Sequence, residues 1–137
     1  ATALLLLADP TTPVHLAEES PDLAAWLRFH TGCPLGPAEG ATLGVGRWPR
    51  LLPLERFCAG QPDYPDRSAT LIVELDTLEA AGARLSGPGI RGQARLSLPD
   101  LAPFQVNRRR FPMGLDFIFT CGDRLACLPR STIVEAG

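Results

Sequence analysis

Residues 111–130, FPMGLDFIFTCGDRLACLPR, are the stretch that decides the fold. An apolar run covers residues 115–121, the dipeptide Gly122-Asp123 follows, and a second apolar run covers residues 124–128 before a proline. Two such runs around a two-residue turn with glycine predict a β-hairpin. The proline ends the second strand because it has no N–H to donate to a ladder.

A single acidic residue, Asp116, stands at the head of this apolar stretch. A carboxylate taken out of water is costly without a partner, so we expect one nearby. Two partners fit: the backbone N–H groups of loop 111–114, and Arg130 at the far end of the paired strand. Either makes Asp116 a structural clamp between loop and strand, which we favour over a ligand contact. No titrating neighbour supports a general base.

The rest of the chain alternates between strand and helix patterns. We predict strands at 3–8, 14–16, 41–46, 68–78 and 82–86, helices at 20–32, 50–60 and 99–109, a loop at 61–67, a Gly-Pro-Gly turn at 87–89 and a terminal edge strand at 131–137. Residues 3–8 are apolar throughout, which is typical of a strand covered on both faces. Ser20 and Gly32 are the N-cap and left-handed stop of the first helix.

Strands interleaved with helices predict an α/β layered fold, and the hairpin makes its sheet mixed. At 137 residues the chain has the size of one domain with a self-supporting core, so we expect residues 1–137 to form a single domain. Residues 3–8 are too short to span a bilayer.

Composition excludes several kinds of chemistry. All thirteen basic residues are arginines, so this segment supplies no lysine for a Schiff base with pyridoxal phosphate or for a P-loop. The formal net charge of -2 offers no general attraction to nucleic acid. Arginine forks still allow contacts with carboxylate or phosphate.

The four cysteines, Cys33, Cys58, Cys121 and Cys127, show no C-x-x-C spacing, and with only two histidines they do not support a zinc site. Across the hairpin turn, Cys121 is expected to face Arg124, and Cys127 to face Ile118. A disulfide between the two strands is therefore out of register. Reduced thiols fit best, and they indicate a cytoplasmic compartment.

Two further positions are candidates for binding. His30 ends the first helix on the stripe of Leu23, Trp26 and Leu27, and packing with dipole compensation is favoured there over a ligand role. Arg108 opens an Arg-Arg-Arg run at the end of helix 99–109, where cations bond the last carbonyls. A phosphate or a partner's acid is the alternative acceptor for Arg108.

A family resemblance adds to this interpretation. The segment 111–135, FPMGLDFIFTCGDRLACLPRSTIVE, resembles the C-terminal signature of PhnH, the H subunit of the bacterial carbon-phosphorus lyase core complex. LLLLADPTTPVHL (4–16), LRFHTGCPL (27–35), ATLIVEL (69–75) and LSGPGI (85–90) resemble segments of that family in the same order. The family's N-terminal region has no counterpart before residue 3, so we expect upstream residues in the natural protein.

The resemblance implies a three-layer α/β/α fold like the large domain of pyridoxal-phosphate transferases, without the cofactor. It also implies a role in phosphonate catabolism, in which the G, H, I and L subunits join methylphosphonate to the ribose triphosphate of ATP and expel adenine. The H subunit is then a required, non-catalytic member that docks on the I subunit and forms a homodimer. No catalytic residue, cofactor or metal is expected, and no nucleic acid or membrane partner.

Two hypotheses therefore remain open. An interaction subunit should carry an exposed apolar patch. A stand-alone enzyme that binds a small molecule, nucleotide or phosphonate should show a cleft in which His30, Asp116 and an arginine converge. The candidate ligand or interface residues are His30, Arg108, Asp116 and Arg130.

Overall fold

The computed structural model describes residues 2–137, which form ten strands and four helices. The helices are α1 (Thr2–Leu7), α2 (Pro21–Thr31), α3 (Trp48–Leu51) and α4 (Ala102–Arg109), with single 3-10 turns at Ala38–Gly40 and Leu54–Arg56. The strands are β1 (Val14–Leu16), β2 (Leu43–Arg47), β3 (Ala59–Gln61), β4 (Tyr64–Ser68), β5 (Thr70–Glu74), β6 (Ala83–Ser86), β7 (Ala94–Leu96), β8 (Asp116–Cys121), β9 (Arg124–Leu128) and β10 (Ile133–Glu135).

The main sheet has five strands in the order β1-β2-β5-β8-β9. The first four run parallel, and β9 returns antiparallel to β8 at the edge. Cys121 faces Arg124 and Cys127 faces Ile118, which is the predicted register of the hairpin. The prediction of an α/β fold with a mixed sheet is therefore confirmed.

The two faces of this sheet are buried by different layers. On the upper face, β5 and β8 contribute Leu71, Val73, Phe117 and Phe119 to a core with α3, α4 and the smaller sheet. On the lower face, Ile72 packs in a second core with residues of α1 and α2, and Ile118 packs against it. Because successive strand residues point to opposite faces, one short segment serves both layers.

Aromatic side chains fill the upper core. The Phe104 ring of α4 stacks on Trp48 with ring centroids 5.0 Å apart and meets Phe117 edge-on at 4.9 Å. Phe117 and Phe119 lie parallel at 6.0 Å. Such pairs contribute beyond their buried area, so the hairpin is anchored mainly through this face.

Asn107 ties the end of α4 to the start of β8. Its amide donates to the Leu115 carbonyl at 2.9 Å and accepts from the Leu115 N–H at 2.8 Å. Asn107 is one of the few buried polar residues, and both ends of its amide are satisfied. The helix-to-strand connection is thereby fixed in one geometry.

Two smaller sheets complete the fold. The order β10-β6-β7 is antiparallel throughout, and β3 pairs with β4 as a separate hairpin. The predicted strand and turn at 82–89 are present, and β10 is the predicted terminal edge strand, although it borders the smaller sheet. The sequence interpretation did not include β7.

The prediction of a strand at residues 3–8 is wrong, because Thr2–Leu7 is helical. Leu4 and Ala8 are buried at i, i+4, and the Ala8 N–H donates to the Leu4 carbonyl at 2.8 Å. Residues 3–8 consist of alanine and leucine alone, and both are strong helix formers. A short apolar run does not distinguish the two structures by its pattern.

The predicted helix at 50–60 is also wrong. Helix α3 ends at Leu51, and Leu52 is extended, with φ −76° and ψ 148°. Proline disfavours helical geometry in the residue before it, so Pro53 stops the helix. Gly60, expected as a helix stop, has φ 87° inside β3, where the register of the hairpin shifts. Here the glycine accommodates a bulge.

The predicted loop at 61–67 is wrong, because it forms most of the β3–β4 hairpin. Pro65 is tolerated in β4 because this strand pairs on one side only. Two further elements have other boundaries than predicted. The predicted strand 68–78 shortens to Thr70–Glu74. Helix α4 starts at Ala102, after the predicted start at 99, and keeps Pro103 in its first turn, where no N–H is needed.

Candidate functional site

Asp116 is paired with Arg130. Its Oδ2 accepts from Arg130 Nη2 at 2.7 Å, and its Oδ1 accepts from the Arg130 backbone N–H at 2.8 Å and from Nε at 3.2 Å. The side chains are 33% and 14% exposed, so the pair is partly shielded from water. Charge-assisted bonds of this fork geometry are strong and directional.

The other partner that the sequence allowed is not used. In loop 111–114 the N–H groups of Phe111, Met113 and Gly114 donate to the carbonyls of Arg108, Arg110 and Ala59, and Pro112 has no N–H. The loop is therefore held by its own backbone bonds. The carboxylate of Asp116 is left for the arginine.

Arg130 also reaches the β3–β4 hairpin. Its Nη1 donates to the Pro65 carbonyl and its Nη2 donates to Ser68 Oγ. Nη1 also lies 3.5 Å from the Pro112 carbonyl. One guanidinium thus joins the start of β8, the 111–114 loop and a separate hairpin, which is the arrangement of a structural clamp.

His30 lies in the last turn of α2, which begins after the Ser20 N-cap and ends at Gly32 with φ 69°, as predicted. Its ring is exposed and lies 4.8 Å from the Trp26 ring and 5.0 Å from the Phe29 ring. The expectation that His30 continues the buried stripe is wrong, because His30 is exposed. Of the other three residues of that stripe, Leu27 is buried and Leu23 and Trp26 are partly covered.

Arg108 occupies the last turn of α4, where the sequence placed it. Its guanidinium carbon lies 5.0 Å from the centre of the exposed Phe111 ring, a cation–π contact. The Nε of Arg108 is buried without a hydrogen-bond partner among the described residues. The next two arginines of the run are exposed.

A charged cleft lies at the carboxyl ends of the parallel strands β1, β2 and β5. It has a volume of about 520 Å³. Arg47 Nη1 bonds Asp76 at 2.9 Å, the Arg47 N–H donates to Glu18, and the Asp76 contact raises the pKa of Arg47 above its ordinary value. In α/β sheets, ligands bind at this edge. The sequence interpretation missed these residues, although Arg47 ends β2 and Glu18 and Asp76 each lie two residues beyond a strand.

A groove of about 680 Å³ runs along the lower face between α1 and the β8–β9 hairpin. We call it the apolar groove after its exposed leucines, although its lining also includes Arg47, Glu74, Asp123 and Arg124. Leu6 is 80% exposed and Leu125 is 60% exposed, and Ile118 and Cys127 also line the groove. Helices α1 and α2 thus leave this half of the lower face open. Exposed apolar side chains rimmed by polar residues are typical of interaction sites.

The charged cleft and the apolar groove are lined by none of His30, Arg108, Asp116 and Arg130. A third, mostly apolar cleft of about 480 Å³ beside α4 is lined by Arg110 but by none of the four either. Among the described contacts, only Asp116 and Arg130 are brought together. The convergent cleft expected of a stand-alone enzyme is therefore not formed by these four residues within residues 2–137.

The four cysteines are unpaired in residues 2–137. Cys33 is buried, and the exposed Cys58 thiol donates to the Arg67 carbonyl at 3.2 Å. Over the same residues no three His, Cys, Asp or Glu side chains are grouped to hold a metal ion. None of the helices described here has the length and apolar character needed to cross a membrane.

Fold and site together define a layered α/β protein whose conspicuous carboxylate is held by an arginine and whose open surfaces are a charged cleft and an apolar groove. The family model described as "Bacterial phosphonate metabolism protein (PhnH)" matches residues 1–135. The chain belongs to this PhnH family.

Two relatives extend this finding. The chain is 35% identical over 141 residues to the "Alpha-D-ribose 1-methylphosphonate 5-triphosphate synthase subunit PhnH" of Rhizobium meliloti (strain 1021), covering 96% of this chain and 70% of the relative. It is 32% identical over 82 residues to the "Putative C-P lyase subunit protein HtxG" of Stutzerimonas stutzeri, covering 56% of this chain and 42% of the relative. Both relatives are named as subunits.

Proposed function

We propose that this chain is a subunit of a carbon-phosphorus lyase complex and takes part, without catalysing it, in the synthesis of α-D-ribose 1-methylphosphonate 5-triphosphate. In this step methylphosphonate replaces adenine on the ribose of ATP. The observation that carries the proposal is the identity to a subunit named for this synthase over 96% of the chain.

The geometry around Asp116 favours a non-catalytic role of the chain over a catalytic one. Asp116, at the start of β8, accepts hydrogen bonds from Arg130, and Arg130 also donates to the Pro65 carbonyl and to Ser68 Oγ. A general acid or base needs a proton-transfer partner within reach of a bound substrate. The stand-alone enzyme is therefore the less favoured alternative.

The finer features of the resemblance belong to the same proposal. We assign the chain a fold derived from the large domain of pyridoxal-phosphate transferases without the cofactor, consistent with its lack of lysine. We further propose that it acts as one domain in the cytoplasm, docks on the I subunit, and forms a homodimer when alone. The exposed apolar groove supplies surface for such contacts.

Adenine release tests the proposal. Purified chain, the G, I and L subunits, and the full mixture are each incubated with ATP and methylphosphonate, and adenine is quantified by chromatography. We expect release from the full mixture alone. Turnover by the isolated chain would overturn the non-catalytic role, and full turnover by the other subunits would show that the chain is not required.

Two variants extend this assay, each measured in the full mixture of subunits at saturating ATP and methylphosphonate. H30A and R108A remove the remaining candidate side chains, and we expect the turnover number to stay within about twofold. General acid or base catalysis contributes about 10²–10⁴-fold, so a loss of that size in either variant would indicate a catalytic group. Circular dichroism of each variant verifies that it is folded.

A further inference from the structure

One face of α4 forms a wall of the mostly apolar cleft of about 480 Å³, which we now call the α4 cleft. The residues of this face recur at helical spacing: Ala102, Pro103, Val106, Asn107 and Arg110. The facing wall is residues 52–55. At a rise of 1.5 Å per residue, positions 102 and 110 are about 12 Å apart along the helix, so the cleft follows two turns of α4.

Apolar side chains of the α4 cleft are accessible to a partner. Val106 is 46% exposed on α4, and Leu52 is 37% exposed on the facing wall. Pro53 is exposed beside Leu52. Helix α4 packs in the upper core through Phe104, on another face of the helix. It therefore stabilises the fold with one face and presents apolar surface of the kind found at interaction sites on a second.

The two ends of α4 place opposite charges at the cleft. Asp100 lies two residues before the helix and Arg110 directly follows it, and both are exposed and line the cleft. Among residues 2–137, neither side chain forms a salt bridge, and Asp100 accepts only from the adjacent Leu101 N–H. Glu55 adds a second carboxylate on the facing wall. The cleft thus offers a carboxylate to a cation at the start of α4 and a guanidinium to an acid at its end.

A helix suits this cleft better than an extended segment. An extended peptide binds by adding a strand to a sheet edge, and neither wall of the α4 cleft is a strand. A helix satisfies its backbone hydrogen bonds internally and needs only apolar contact along one face. Helices favour acidic residues in the first turn and basic residues in the last. Such a helix meets Arg110 with its acid and Asp100 with its base only if it runs antiparallel to α4.

A second copy of this chain does not supply such a helix from residues 2–137. Helices α1 and α4 have no acidic residue in the first turn, and α3 has only four residues. Helix α2 has Asp22 in its first turn and Arg28 in its last, but its apolar residues pack in the lower core around Leu27. The helix that fits the cleft therefore belongs to a different protein.

We propose that the α4 cleft binds an amphipathic helix of a partner protein, antiparallel to α4. Apolar side chains of that helix, one to two turns apart, pack against Val106 and Leu52. A carboxylate in its first turn pairs with Arg110, and a basic side chain in its last turn pairs with Asp100. This inference rests on the docking on another subunit proposed above, and it specifies the surface on this chain and the chemistry of the partner's element.

Binding to purified subunits tests the surface. The G, I and L subunits are immobilised separately and as a mixture, and the affinity of the soluble chain is measured by surface plasmon resonance. Val106→Asp should weaken binding at least about tenfold, because it places a carboxylate among the central apolar contacts. R110E should weaken it about threefold to tenfold, and less at high ionic strength. The control F29D adds the same charge at an 84% exposed site on α2 and should bind as the unmodified chain does.

The outcomes separate this inference from the proposed function. If the unmodified chain binds none of the subunits, both the docking and the α4 cleft are overturned, and adenine release still reports whether the chain is required. Binding that V106D leaves unchanged would overturn the α4 cleft and leave the docking standing. Circular dichroism verifies that V106D is folded, and R110E changes an exposed side chain that the core does not need.

Photo-cross-linking tests the orientation. In the assembled complex, p-benzoylphenylalanine replaces Ala102 or Val106, one turn apart, and the linked peptides are identified by mass spectrometry. Position 102 should link to a partner residue about four positions later in its sequence than the residue linked to position 106. The control at position 29 should give no link to that segment. The reverse order, links to a second copy of this chain, or no link from either position would overturn the antiparallel helix.

Discussion

The two faces of the β8–β9 hairpin differ in burial, although successive residues of each strand point to alternate faces. On the upper face, Phe117 and Phe119 are fully buried against α3 and α4. On the lower face, Ile118 is only partly covered and Leu125 is mostly in water. Apolar side chains of one hairpin therefore stabilise the fold on one side and are available to a partner on the other.

This difference in burial arises from the helices that pack on each face of the sheet and not from the strands themselves. Helix α4 is placed over the upper face by Phe104 and fixed by the two Asn107 bonds to Leu115. Below the sheet, α1 and α2 pack with the β1-β2-β5 half, where Leu4 and Leu27 join Val45 in the core. An apolar side chain contributes to stability only where another layer removes it from water.

The largest expected effect lies on the upper face. Phe119→Ala removes a fully buried ring from the aromatic core and should lower the free energy of unfolding by about 3–5 kcal/mol. Ile118→Ala, one residue away on the lower face, should cost about 1–2 kcal/mol because its side chain keeps part of its contact with water. Urea denaturation of both variants measures the difference, and equal losses would contradict the two-face comparison.

A smaller effect is expected at the clamp that opens β8. Asp116→Asn removes the charge that the Arg130 guanidinium faces and should lower the free energy of unfolding by about 1–3 kcal/mol. The matched control is D76N, because the Asp76 side chain is 82% exposed in its pair with Arg47 and its loss should leave the denaturation midpoint unchanged. An unchanged midpoint in D116N would return Asp116 to the functional candidates.

The sequence predicted what local signals determine. The hairpin followed from two apolar runs around Gly122-Asp123, and α2 followed from Ser20 and Gly32. The pairing of Asp116 with Arg130 was one of two options, since the ends of adjacent strands meet. The contact of Arg130 with Pro65 spans 65 residues of sequence, so no local pattern indicates it.

Other elements depend on context that the sequence pattern does not carry. Strands β3, β4 and β7 are short, and each is stabilised by pairing: β3 with β4, and β7 with β6. The β propensity of their residues alone is therefore a weak guide to them. The run of leucines in α1 fits a helix and a strand equally well by pattern. The charged cleft unites Glu18, Arg47 and Asp76 only once the parallel order of the strands is known.

The smallest expected effect on folding is at Leu125, and it depends on association. In dilute, reduced protein, Leu125→Thr should change the free energy of unfolding by no more than about 0.5 kcal/mol, because the side chain is 60% exposed and threonine suits a strand. If the chain self-associates through the apolar groove that Leu125 lines, a raised protein concentration should stabilise the unmodified chain more than L125T, since association adds to stability by mass action. Thermal denaturation over a hundredfold range of concentration provides the measurement, with F29T as the control at another exposed apolar site.

The same concentration dependence of the melting temperature in the unmodified chain and L125T would place the association surface elsewhere. A large loss of stability in dilute L125T would mean that the lower face is already covered within one chain.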